Sequence, residues 1–151
     1  MTFDDVTLQR PVAVADIRPR TTARRFASVV LALHGLVHLI GFVVPWRLTQ
    51  VEGFAYRTTA FDGAIELGET GALVIGLAWL AIAVGFVIAA VGVWEARAWA
   101  IPLVGVLAAA SLAVCVMGLP ETVAGIVLDV AILGAVAWAS RARRASRGTG
   151  A

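Results

Sequence analysis

Two histidines four residues apart, His34 and His38, stand inside an otherwise apolar run, His34-Gly35-Leu36-Val37-His38-Leu39-Ile40-Gly41-Phe42. An i, i+4 spacing puts both imidazoles on one helical face, with Leu31 and Gly41 completing the stripe. A carboxylate, Asp129, interrupts a second apolar run one turn after Gly125. Glu66 and Glu69 open a third, in which Ala72 and Gly76 share the face of Glu69. Cys115 and Met117 lie near the end of a fourth. An ionisable group deep in lipid is expensive, about 2.5–3.5 kcal/mol for a central Asp on insertion scales, so each of these residues needs a partner or a task.

Three kinds of chemistry suit the set. Neutral imidazoles and carboxylate oxygens are ligands for a divalent metal, with His34 and His38 as the first candidates. Histidine beside a carboxylate relays protons or hydrogen-bonds a quinone carbonyl. The same groups can also simply join helices by hydrogen bonds. The HxxxH pair alone does not define a metal centre, because the remaining ligands must come from other helices. A haem held between the two imidazoles is excluded, since both sit on one face of one helix. Cys115 is the single cysteine, which removes an intramolecular disulfide and any CxxC pair, and it reads as a small apolar filler.

The elements that must position these residues follow from composition. Of 151 residues, 60% are hydrophobic and 15% charged, with a mean hydropathy of +0.90. A soluble domain carries about 45–50% apolar and about 25% charged residues, so the solvent here is lipid. Soluble enzymes, nucleic-acid-binding domains and disordered regulators are excluded on that ground. A spanning helix needs about 20 mainly apolar residues, and four segments supply them: 26–44, 69–94, 98–118 and 122–140. Pro45 ends the first, Pro102 is tolerated in the opening turn of the third, and Gly118-Leu119-Pro120 ends it. These runs lack the alternation of a membrane β-barrel. The expected fold is an all-α integral membrane four-helix bundle with a 46–68 loop between the first two spans. Arg-rich tails, 1–25 and 141–151, flank the bundle.

All twelve basic residues are arginine. Arg10, Arg18, Arg20, Arg24, Arg25, Arg97, Arg141, Arg143, Arg144 and Arg147 fall on one side of a four-span chain. The other side receives Arg47 and Arg57 together with Glu52, Asp62, Glu66, Glu69 and Glu121. The positive-inside rule then places both termini in the cytoplasm of a bacterial cell whose inner membrane holds the bundle. Arg24-Arg25-Phe26 anchors the first span rather than forming a twin-arginine export signal, because the apolar run has spanning length and three more spans follow. Trp46 suits the outer boundary and Trp94, Trp99 and Trp138 the inner one, while mid-helix Trp79 reads as packing.

Depth links the polar residues. His38 lies seven residues before Pro45 and Asp129 seven after Thr122. Both therefore sit about 10 Å inside the outer boundary at about 1.5 Å per residue. Glu69 and Cys115 also fall in the outer half. The expectation is one polar pocket in the outer leaflet, with His34 and His38 as ligands or proton carriers oriented by Asp129 and Glu69.

The four spans and the quoted histidine run resemble small bacterial four-helix membrane proteins, broadly the DoxX-like group, some of which are linked to quinone or thiol redox chemistry. The likeness covers residues 26–140, and it transfers no catalytic residue. The expected function, read from the polar pocket, is an accessory or subunit-like membrane protein whose pocket takes a metal, a quinone or another small ligand. A small-solute or proton-coupled transporter and a membrane redox enzyme are the alternative expectations. The expected partners are the bilayer and a membrane protein or a second copy of the chain, and no nucleic acid.

Overall fold

The computed structural model describes residues 17–148. In chain order the elements are α1 (Ile17–Val37), α2 (Ile40–Val43), β1 (Thr59–Ala60), β2 (Ile65–Glu66), α3 (Gly68–Trp94), α4 (Ala100–Met117) and α5 (Val123–Gly148). Four stretches are helical, long and apolar enough to cross a membrane: Thr21–Val43, Gly68–Trp94, Ala100–Met117 and Val123–Ala142. Helices satisfy their own backbone, which is what lipid demands of a spanning segment. The chain is an all-α four-helix bundle.

Its helices alternate in direction. At one end the Arg25 guanidinium lies 5.3 Å over the Trp94 ring, joining the start of α1 to the end of α3. At the other, Phe61 N–H donates to Met117 O at 2.9 Å, tying the 44–67 loop to the end of α4. α1 packs along α3, α3 along α4 and α4 along α5. The apolar core gathers Leu31, Ile82, Phe86, Ala89, Ala90, Val93, Ala100, Val104 and Ala108. Alanine supplies four of these nine residues; lipid tails are as apolar as any side chain, so close van der Waals approach is what holds the helices together. Gly35 shows how close. A Cβ there would meet Ala83 O and Phe86 Cβ, both at 2.9 Å.

Three boundaries differ from the expected ones. The first span is not one unbroken helix over 26–44. The helix stops at Val37 and resumes at Ile40, because His38 Nδ1–H donates to His34 O at 2.8 Å and so takes the carbonyl that a regular helix offers to its own N–H. That N–H turns to Gly35 O at 3.2 Å, and Leu39 N–H follows it to Leu36 O at 3.1 Å. Helical structure also reaches beyond the spans at both ends, from Ile17 in α1 and to Gly148 in α5. Alanine and arginine are strong helix formers, and the stretch after Ser140 that continues α5 is rich in both. The tail residues 1–16, Arg10 among them, and 149–151 lie outside the described residues.

The 44–67 loop is more ordered than an interfacial connection need be. β1 and β2 pair antiparallel, Thr59 opposite Glu66 and Ala60 opposite Ile65. Val51 and Phe54 form an isolated bridge. Ala60, within this hairpin, is buried. Arg57 pairs with Asp62 at 3.8 Å and with Glu121 at 2.5 Å, clamping the hairpin to the start of α5.

Candidate functional site

The polar residues of three helices meet in one buried cluster. His34 and His38 come from α1, or the turn that ends it, Ser111 and Cys115 from α4, and Asp129 from α5. Gly35 lets α1 close on α3, so that both imidazoles rest against Phe86, with ring centroids 4.9 Å and 5.6 Å away. Gly125 does the same between α4 and α5, where a Cβ would lie 2.9 Å from Cys115 Sγ. Trp79 of α3 stands 5.0 Å from the His38 ring. It fills the space above Gly41, where a Cβ would strike its indole.

The hydrogen bonds form a continuous chain. His34 Nε2 lies 2.9 Å from Asp129 Oδ1. Asp129 Oδ2 is 2.6 Å from Ser111 Oγ. Ser111 Oγ is 2.6 Å from His38 Nε2 and 3.9 Å from Cys115 Sγ. His38 Nδ1–H closes the chain on the His34 carbonyl. Asp129 is 0% exposed, and the ion pair recorded for it among the described residues is with His34. The ion-paired arginines of the described chain look elsewhere: Arg47 to Glu69, Arg57 to Asp62 and Glu121, Arg97 to Glu95.

This site unites His34, His38 and Asp129 as expected, and it leaves Glu69 out. The Glu69 side chain is 73% exposed and is bound to Arg47 at 2.7 Å. It sits in the first turn of α3, at the mouth of the bundle, so its shared depth does not bring it to the shared face. The Arg47 guanidinium also stacks 4.4 Å over Tyr56, and the Tyr56 hydroxyl and Glu69 together hold it above its ordinary pKa. Ser111 is the functional-site member that the sequence reading omits. A serine in an apolar span one turn before Cys115 is a weak signal, because serine also packs helices without further purpose.

The donor atoms of His34, His38 and Asp129 lie within 4.8 Å of one another, a spacing that could hold a metal ion. As arranged here, each imidazole Nε2 and both carboxylate oxygens are already engaged in hydrogen bonds within the chain.

Beside the network lies a cavity of about 370 Å³. His34, His38 and Cys115 form its inner end, Trp79, Ile75 and Leu128 are part of its wall, and Arg57, Asp62 and Glu121 stand at its loop end. Sites for small ligands have this make-up, an apolar wall with a few convergent polar groups, at volumes of about 300–1,000 Å³. No family model, curated protein or solved structure matches this chain.

Proposed function

We propose that this protein binds a small, largely apolar molecule with a hydrogen-bonding oxygen, of the quinone or phenol type, in the cavity between its imidazoles and its loop. One observation carries the reading: the cavity ends on His34 and His38, whose rings are held by a buried network rather than by solvent. The wall around Trp79 and Leu128 suits an aromatic or isoprenoid body, and the imidazoles suit its oxygen. The distribution of arginines supports both termini in the cytoplasm of a bacterial inner membrane, which puts the cavity in the outer leaflet. A ligand site within a bundle of four membrane-spanning helices fits an accessory or subunit role in a larger membrane assembly.

The test is solvent extraction and mass spectrometry on protein purified in mild detergent. Three samples would be compared: wild type, His34→Ala/His38→Ala, and Ala72→Leu. Ala72 lines the cavity without joining the network, so its enlargement fills the space and leaves the hydrogen bonds intact. A stoichiometric small molecule in wild type that is lost in both variants supports the reading. An empty wild type that also fails to bind added menadione, followed by Trp79 fluorescence against a Trp79→Phe control, overturns it.

A further inference from the structure

The hydrogen bonds of the buried network fix how many protons it holds. A carbonyl oxygen can only accept, so His38 Nδ1, 2.8 Å from His34 O, carries a proton. If His38 is neutral, its Nε2 is then a bare lone pair and must accept the Ser111 proton across 2.6 Å. The same hydroxyl lies 2.6 Å from Asp129 Oδ2. One hydroxyl has one proton and cannot donate in both directions. A carboxylate, a hydroxyl and a neutral imidazole are therefore one proton short of the contacts they make.

Adding one proton satisfies every contact, in either of two arrangements. In the first, Asp129 is a carboxylic acid: Oδ2–H donates to Ser111 Oγ, and Ser111 donates to His38 Nε2. In the second, the carboxyl proton has moved to Oγ and the hydroxyl proton to Nε2. Asp129 is then a carboxylate and His38 an imidazolium. Two protons shift by one hydrogen bond each, no atom is gained or lost, and the network is neutral in both states. His34 Nε2–H donates to Asp129 Oδ1 throughout.

We propose that Asp129, Ser111 and His38 form a buried proton-binding site that holds one exchangeable proton and passes it between the carboxyl and the imidazole lining the cavity. Burial supports this independently, since a buried carboxylate with no arginine paired to it among the described residues needs a neutralising partner, and a proton supplies it. The surrounding elements offer no competing charge among the described contacts. α3 contributes Phe86 and Trp79, and α4 adds the Cys115 thiol at 3.9 Å from the hydroxyl. The inference goes beyond the ligand reading and does not depend on it, because its test needs no ligand.

An amide at position 129 reproduces the first arrangement, with its oxygen accepting from His34 and its NH₂ donating to Ser111. Purified Asp129→Asn is therefore expected to melt within about 3 °C of wild type, a shift worth no more than about 1 kcal/mol at this chain length, while Asp129→Ala melts far lower. Infrared spectroscopy of wild type at neutral pH should show a protonated-carboxyl C=O stretch that Asp129→Asn lacks, or ¹⁵N NMR should show His38 as an imidazolium. Early melting of Asp129→Asn, matching Asp129→Ala, overturns the proposal. So does a wild type holding a carboxylate beside two neutral imidazoles, or a stoichiometric metal ion found by elemental analysis of the purified protein.

Discussion

The two halves of the bundle are held together by different means. Toward the chain termini, α3 and α4 meet through Ala89, Ala90, Val93, Ala100, Val104 and Ala108, a seam of small apolar groups with nothing to ionise. Toward the loop, α1, α4 and α5 meet through His34, Ser111 and Asp129, where contact is made by hydrogen bonds. In lipid neither half gains from hiding apolar surface from water, so the first depends on fit and the second on pairing. Fit is indifferent to what binds nearby. Pairing commits polar atoms to fixed positions beside a cavity, and that half is where a function can reside.

The contrast predicts unequal responses to truncation. Asp129→Ala removes one side chain that serves two bonds: it strands His34 Nε2–H in an apolar interior and leaves the Ser111 hydroxyl with His38 alone. Membrane hydrogen bonds average only about 0.6 kcal/mol when both partners can re-pair. A buried donor left without a partner costs more, and together with the space the carboxyl vacates about 2–4 kcal/mol of stability is expected to be lost. Unfolding in mixed micelles would measure it, and a loss below about 1 kcal/mol would show that the loop-side half is not held by pairing.

The terminal half should break by excess rather than by loss. Ala89 and Ala108 are each 0% exposed, so Ala89→Leu has no room. Overpacking of a filled seam costs about 1–3 kcal/mol. Retention of the proposed ligand is expected to be unchanged, since the substitution lies away from the cavity-lining residues. A variant that lost ligand as readily as His34→Ala/His38→Ala would show that the halves are coupled.

Ser111→Ala sharpens the comparison from the other side. It removes the hydroxyl between His38 Nε2 and Asp129 Oδ2 while leaving the His34–Asp129 contact in place. The expected loss is about 1–2 kcal/mol, smaller than for Asp129→Ala because His34 keeps its partner. Ser111→Thr, which restores a hydroxyl, should recover most of it.

How much of this was legible in the chain depends on whether one dimension or two was needed. The spans follow from runs of apolar residues against the thickness of a bilayer, and four helices of spanning length are found. The depth of His38 and Asp129 follows from counting residues to Pro45 and Thr122. Which faces meet does not follow from counting. His34 rather than His38 bonds the carboxylate directly, and Glu69 at a suitable depth faces the loop instead. The turn at His38 was hidden for a related reason. Nothing in His34-Gly35-Leu36-Val37-His38 interrupts helical periodicity, and the break comes from a side chain capturing a carbonyl. Ser111 was passed over because one hydroxyl among apolar residues gains meaning only from what lies opposite it.

The smallest expected effect is also the most discriminating for Glu69. Its pairing with Arg47 is short, 2.7 Å, yet both side chains are more than half exposed. Water and salt screen such a pair, and holding two long side chains in register costs entropy. Glu69→Ala should therefore leave the melting temperature, the bound ligand and the carboxyl infrared signature as they are in wild type. If ligand retention fell as it does in His34→Ala/His38→Ala, the mouth of the cavity would share the work of its inner end. The division drawn between a buried pairing site and an exposed rim would then have to be moved outward, to include the Arg47–Glu69 pair.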